Sequence, residues 1–252
     1  MARGMQGAVL RLLGAKDHRV EVLETERLTA ELIRIRFAAR SLLDVLELTP
    51  TAWVRFWFPD PAGGPQEYQR AYSLFAGDVD AGWCDVIFLL HDVHGPGSTW
   101  ASRAAVGDVL PVQVLGSTSF ERDAASEGLV VIGDLSSLPA IATMVSSLTG
   151  PLDLHLLLED CADEALRALG VKHPSLTVTH VRREGPASLA QALASSAIHL
   201  DHRQVWAAGE SASLKALRRV VRDRAGATRS NTQVLAYWIE GRSMGKERRE
   251  NG

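Results

Sequence analysis

The hydrophobic rhythm of the chain changes once, near residue 120, and that change restricts its fold more than any other feature. Before it, apolar and polar residues alternate in short runs. In Leu32-Ile33-Arg34-Ile35-Arg36-Phe37 the residues Ile33, Ile35 and Phe37 share one face, and Arg34 and Arg36 the other. That is the period of a half-buried strand. Residues 18–23, 28–37, 53–58, 70–75, 83–90 and 108–115 are strand-like, and PDPAGGP at 59–65 is a loop. Six short strands in succession predict a small antiparallel barrel. After the change, strand-like runs at 128–133, 152–158, 176–181, 204–208 and 233–238 alternate with helical spacing at 138–148, 162–169, 189–197 and 213–224. This alternation predicts a mostly parallel sheet with helices on both faces. The polar stretch ERDAASEG marks the boundary, so the expected domains are residues 1–122 and 123–252.

Composition narrows the function. The 252 residues are 46% hydrophobic and 23% charged, which is ordinary for a globular chain with room for two modest domains. A net charge of −3 gives no field that recruits nucleic acid or an anionic membrane. Cys84 and Cys161 stand far apart with no CxxC spacing. This argues against a disulfide framework, a zinc site or a cysteine-held iron–sulfur cluster. Redox chemistry therefore needs a bound organic cofactor. The first residues carry a short apolar patch broken by Arg11, without a cleavage signal, and no apolar run is long enough to span a bilayer. The expectation is a cytoplasmic protein.

Four stretches carry candidate chemistry. In Arg70-Ala71-Tyr72-Ser73, a strand places Arg70 and Tyr72 on one face, with Ser73 opposite or turned at the strand end. An arginine fork suits a phosphate, a tyrosine ring suits a flat heterocycle, and a serine hydroxyl can donate to a ring atom. Taken alone, an edge strand with a solvated arginine is the simpler reading. The second stretch is HDVHGPGSTWA, from His91 to Ala101. Its glycines permit close backbone approach, and Ser98, Thr99 and Trp100 open a short helix whose free N–H groups suit a phosphate. The simpler reading is a glycine-proline connection. His91 and His94 have only Asp92 at a ligand spacing, so no metal site is expected. The third and fourth are strand-to-helix turns, GDLSSLPAI from Gly133 and AAGES ending at Ser211. Neither has a GxGxxG or P-loop signature, and helix capping explains either one alone.

The order of the four is more specific than any one of them. Together they resemble the ferredoxin–NADP reductase superfamily, and within it the siderophore-interacting protein family. HDVHGPGSTWA is similar to that family's histidine followed by Gly-Pro-Ala-Ser and Trp-Ala. GDLSSLPAIATM is similar to its Gly-Asp-Glu-Thr-Ala-Leu-Pro-Ala-Ile turn. AAGESASLKALRRVVRD and Tyr237-Trp238-Ile239-Glu240-Gly241 are similar to its Ala-Gly-Glu helix and terminal Tyr-Trp-Arg-x-Gly. The resemblance runs from about His18 to Arg242.

The resemblance implies an α+β two-domain fold: an N-terminal antiparallel β-barrel that binds FAD, followed by a C-terminal α/β nucleotide-binding domain. It implies FAD and NAD(P)H as cofactors, a ferric siderophore as substrate, and reduction that releases Fe(II). By the same resemblance Arg70 contacts the FAD pyrophosphate, Tyr72 stacks on the isoalloxazine and Ser73 bonds near flavin N5. His91 contacts the flavin or its linker, and Gly95, Gly97, Ser98 and Thr99 donate to the diphosphate. Gly133, Asp134, Ser136, Gly209 and Glu210 line the nicotinamide mouth, and Tyr237 and Trp238 pack near the flavin or nicotinamide. No residue is implied as nucleophile or acid–base catalyst. The chain departs from the pattern at Gly97, where alanine is usual and the change is expected to be harmless or to loosen the turn. It departs again at Leu135 and Ser136, and at Ile239 and Glu240 in place of basic residues. Lys246, Arg248 and Arg249 follow and are the candidates for an anionic chelate, against the plainer reading of a solvated tail. The alternatives are a flavin oxidoreductase with another acceptor and a siderophore carrier without turnover.

Overall fold

A computed structural model describes residues 3, 14–91, 95–224 and 231–241. Contacts divide the chain into two units. One runs to Glu121 and includes Ala142–Ser147; the other holds Arg122–Ile141 and the chain from Leu148.

The first unit contains β1 (Asp17–Arg27), β2 (Leu32–Ala38), α1 (Arg40–Leu43), β3 (Trp53–Pro59), β4 (Glu67–Asp78), β5 (Trp83–Leu89), α2 (Pro96–Ala101) and β6 (Val109–Gln113). The six strands close a barrel in the order β1-β2-β5-β4-β3-β6, every pair antiparallel. This is the barrel that the alternating runs predict. The first turn lies later than expected, because β1 runs on to Arg27. There Leu28 N–H donates to the Leu32 carbonyl at 2.9 Å, and the Thr29 hydroxyl accepts from Glu31 N–H at 3.2 Å and Leu32 N–H at 3.1 Å. The interior is aromatic. Phe37, Phe56, Phe58 and Phe88 are wholly buried, with Phe37 and Phe56 centroids 5.5 Å apart. Each such side chain contributes roughly 1.5–3 kcal/mol of burial.

The second unit contains β7 (Gly128–Asp134), α3 (Leu138–Ser147), β8 (Asp153–Glu159), α4 (Asp163–Ala168), β9 (Leu176–Val181), α5 (Ser188–Ser195), β10 (Arg203–Glu210), α6 (Ser211–Asp223) and β11 (Thr232–Trp238). The last six residues of α3, Ala142–Ser147, cluster with the first unit. The strands form a parallel sheet in the order β11-β10-β7-β8-β9. Central β7 is buried at every residue, as a parallel strand covered on both faces must be. Leu214, Leu217 and Val221 of α6 join Leu189 and Leu193 of α5 in the core against β10. Chain order reverses between β7 and β10, so the carboxyl ends of these strands border the crevice where such sheets take ligands. Among the described residues no helix is long and apolar enough to cross a membrane.

Candidate functional site

The barrel places its candidate residues in the middle of β4 and just after β5. Phe56 pairs with Arg70, Val54 with Tyr72 and Trp53 with Ser73. Residues opposite one another share a face. Arg70 and Tyr72 therefore lie on the side of the core phenylalanines, and Ser73 lies on the other. The Tyr72 ring centroid is 4.5 Å from that of Phe88 and meets Phe56 and Phe58 edge-on. Burial pushes the Tyr72 phenol up, and the charge of Arg70 pulls it the other way. The phenol stays protonated at neutral pH.

α2 packs directly on this ring. A Cβ on Gly97 would strike the Tyr72 hydroxyl and lie 3.1 Å from Tyr72 Cζ and 3.4 Å from Phe58 Cε2. Gly97 therefore tightens the approach of helix to strand, contrary to the expectation of a harmless or loosening change. The end of β5 is tied to the same helix. His91 N–H donates to Ser98 Oγ at 3.4 Å, and a Cβ on Gly95 would lie 3.6 Å from His91 Cε1. Pro96 occupies the first helical position, where a missing N–H costs nothing. Thr99 N–H returns to the Gly95 carbonyl at 2.9 Å, while the N–H groups of Gly97 and Ser98 have no partner within the helix. The Thr99 hydroxyl is buried and has no partner among the described residues. Leaving such a group unmatched costs about 1–3 kcal/mol. A diphosphate oxygen would supply an acceptor, so the residues present fit the diphosphate of FAD. Asp92 and His94 lie outside the described residues.

In the second unit the candidate residues meet at the carboxyl ends of the strands. The Asp134 carboxylate is fully engaged. Its Oδ1 accepts from Ser136 N–H at 2.9 Å, Ser137 N–H at 3.3 Å and the Ser136 hydroxyl. Its Oδ2 accepts from Glu210 N–H at 3.1 Å and from Trp238 Nε1 at 2.8 Å. Asp134 thus joins the ends of β7, β10 and β11. Gly209 makes room for it: φ is 156° and a Cβ would lie 2.6 Å from Asp134 Oδ2. Gly133 makes room for α3, since a Cβ would meet Ile141 Cδ1 at 2.8 Å. Glu210 caps α6, accepting from Ala212 N–H at 2.6 Å and Ser213 N–H at 2.9 Å. Capping, the simpler reading of both turns, accounts for Glu210; Asp134 closes the turn before α3 and also ties three strand ends together. Tyr237 packs edge-on against Trp206, with centroids 6.4 Å apart.

Two residues here escape sequence reading. Glu159 ends β8, and Arg183 follows β9. An acidic residue some twenty positions after the first turn of such a sheet is a signal in its own right, and Glu159 satisfies it. The absence of a glycine fingerprint hides it. Arg183 has no local signal, because its partners come from three other segments. Lys246 and Arg248 lie outside the described residues.

Two family models match the chain: "siderophore-interacting FAD-binding domain" over residues 63–116 and "siderophore-interacting protein" over residues 126–241. The chain belongs to the siderophore-interacting protein family. Its barrel unit carries that family's FAD-binding domain. It is 37% identical over 99% of its length to the mycobactin import ATP-binding/permease protein IrtA of Mycolicibacterium thermoresistibile, and spans 28% of that protein. It is 22% identical to the ferric vibriobactin reductase ViuB of Vibrio cholerae, over 89% of the chain and 90% of ViuB. Among solved structures, a siderophore utilization protein from T. fusca aligns with a TM-score of 0.77 at 24% identity, covering 92% of this chain and 96% of that one. A ferredoxin NADP+ reductase from Neisseria gonorrhoeae with bound FAD and NADP aligns with a TM-score of 0.62 at 19% identity, covering 89% and 100%. The barrel followed by a parallel sheet is thus the fold that the sequence motifs imply.

Proposed function

We propose that the chain is an FAD-dependent NAD(P)H:ferric-siderophore reductase that releases iron as Fe(II) in the cytoplasm, where reduced nicotinamide is available. The observation that carries the reading is the unmatched Thr99 hydroxyl in the first turn of α2, within a unit that matches the family's FAD-binding domain. ViuB, named as a ferric vibriobactin reductase and matched over most of its length, supports the choice of reaction.

When bound, FAD supplies the conversion of a two-electron hydride donor into single-electron transfers to iron. The chain's own residues bind and orient. The Arg70 guanidinium, the Gly97 and Ser98 N–H groups and the Thr99 hydroxyl hold the diphosphate. His91 and Gly95 close the turn beside it. Tyr72, rigid against Phe88 and neutral, backs the ring system, and Ser73 donates near flavin N5. Gly133, Ser136 and Gly209 border the strand ends where the nicotinamide nucleotide would lie, the two glycines by letting α3 and Asp134 pack close. Asp134 and Glu210 hold that rim in shape, and Tyr237 and Trp238 border it. No side chain has to act as nucleophile or as acid–base group. Oxygen cages hold Fe(II) more weakly than Fe(III), so reduction alone releases the metal. Lys246 and Arg248 are the proposed anchors for an anionic chelate.

The test is anaerobic. Purified protein, yellow with flavin, is mixed with NADH or NADPH, a ferric siderophore and a ferrous trap. Nicotinamide-dependent trapping of Fe(II) is the expected outcome. A protein that cannot be reconstituted with FAD yet binds ferric siderophore is a carrier instead, and flavin reduction without iron release points to another acceptor.

A further inference from the structure

The carboxyl ends of the second unit's strands gather acidic side chains that bear on nucleotide choice. Read from the far edge, the sheet runs β9-β8-β7-β10-β11. In chain order that is third, second, first, fourth, fifth, the arrangement in which an acid at the end of the second strand meets the adenosine ribose. Glu159 occupies that place, at the end of β8 and paired with Asp134 at the end of β7. It is 2% exposed, and its Oε1 has no hydrogen-bond partner among the described residues. A buried carboxylate oxygen without a donor is costly, and a ribose 2′-hydroxyl is the kind of donor that relieves it.

The nearest guanidinium is already committed. Arg183 Nη1 donates to Glu159 Oε2 at 2.9 Å and to Ser213 Oγ at 3.2 Å. Its Nη2 donates to Glu240 Oε2 at 3.0 Å and lies 3.9 Å from Glu210 Oε2. Its Cζ sits 5.5 Å from the centroid of the Trp238 ring, and its backbone N–H donates to Asp160 Oδ1 at 2.9 Å. One guanidinium thus faces Glu159, Glu210 and Glu240, with Asp134 and Asp160 beside them. Arg183 reaches from the end of β9 at one edge of the sheet to Glu240, just beyond β11 at the other. A 2′-phosphate brought to this rim meets the carboxylates of Glu210 and Glu240 around an Arg183 fork that is already committed, and it brings no hydroxyl for Glu159.

We infer that Glu159 is a specificity-determining residue that accepts the adenosine 2′-hydroxyl of NADH, and that the carboxylates around Arg183 exclude the 2′-phosphate of NADPH. This rests on the reductase reading for its physiological meaning, but its test does not.

Calorimetric titration of the full chain with ADP-ribose and with 2′-phospho-ADP-ribose reads the subsite without turnover. ADP-ribose is expected to bind roughly tenfold more tightly, about 1.4 kcal/mol. Glu159→Gln should weaken ADP-ribose and bring the ratio toward one. If that variant does not fold, Glu240→Gln decides in its place. It alters an exposed side chain, releases one arm of Arg183 and should move the ratio toward the phosphorylated form. Equal or tighter binding of the phosphorylated form by the unaltered chain overturns the inference. So does failure of ADP-ribose to bind, or a folded Glu159→Gln that keeps the original ratio. Stopped-flow reduction of bound flavin separates the two ideas. Selective nucleotide binding without flavin reduction sinks the reductase reading alone, and equal reduction by NADH and NADPH sinks the selectivity alone.

Discussion

The space beside Gly97 is filled by the Tyr72 hydroxyl and the edge of Phe58, so a methyl group there has to displace a ring. Overpacking of this kind typically costs 1–3 kcal/mol. Gly97→Ala is therefore expected to destabilise the barrel by about that amount and to lower its flavin content, read by thermal melting and by absorbance after gel filtration. Arg70 makes a different kind of contribution. Hydrogen bonds to charged groups are worth about 1.5–3 kcal/mol, so Arg70→Ala should weaken FAD retention roughly ten- to a hundredfold with little change in melting of the apoprotein. Full flavin content in that variant would remove Arg70 from the diphosphate. These two residues differ in how legible they are. Arg70 and Tyr72 can be placed on one face from the alternation of a single strand. The meaning of Gly97 depends on a ring 25 positions earlier in the chain, and no local pattern announces it. Asp134 is a third case. Its type and place after a buried strand are readable, but its bonds to Glu210 N–H and Trp238 Nε1 are made across the sheet.

Strands and helices are where sequence reading does best, because periodicity is a local property. All the expected strands of both units form. The exceptions are short or irregular. α1 spans Arg40–Leu43 and is too brief to leave a periodic trace. The turn after β1 is set by the Thr29 hydroxyl rather than by glycine or proline. The ends of the parallel strands are harder still, since what gathers there comes from separate segments. Glu159 illustrates the consequence. Burial raises its carboxyl above the ordinary glutamate value; Arg183 opposes this, and Asp134 and Asp160 add to it. The folded chain therefore holds this proton more tightly than the unfolded chain does. Between the ordinary and the raised value the native state binds more protons, so stability from this group is present below that window and lost as pH rises through it. Glu159→Gln removes that loss. Denaturant unfolding at a series of pH values should show the variant gaining on the unaltered chain from acid to neutral pH. A constant difference across that range would mean that Glu159 ionises as freely in the folded state as in the unfolded one.

At the scale of the whole chain, each unit has its own apolar core, one built on the barrel phenylalanines and one on the sheet with α5 and α6. Each also has its own match to a family model. A barrel and a parallel sheet demand different hydrophobic periods, which accounts for the change of rhythm near residue 120; that change gives no sign that Ala142–Ser147 cluster with the first unit. The chain spans under a third of the IrtA proteins it matches, so the same two-unit body also occurs within much longer proteins. If the sites are distributed as proposed, FAD and the nicotinamide nucleotide stabilise different units. A ligand at a hundred times its dissociation constant adds about 2.7 kcal/mol to the state that binds it. For a unit of roughly 120 residues this raises the melting midpoint by about 10 °C. Scanning calorimetry should therefore resolve a transition that FAD raises and Arg70→Ala leaves unresponsive to FAD. ADP-ribose should raise a second transition, and Glu159→Gln should blunt that response while leaving the response to FAD intact. If Arg70→Ala abolished the response to ADP-ribose as well, the two ligands would share one binding unit, and the assignment of Glu159 to a separate nucleotide site would fall.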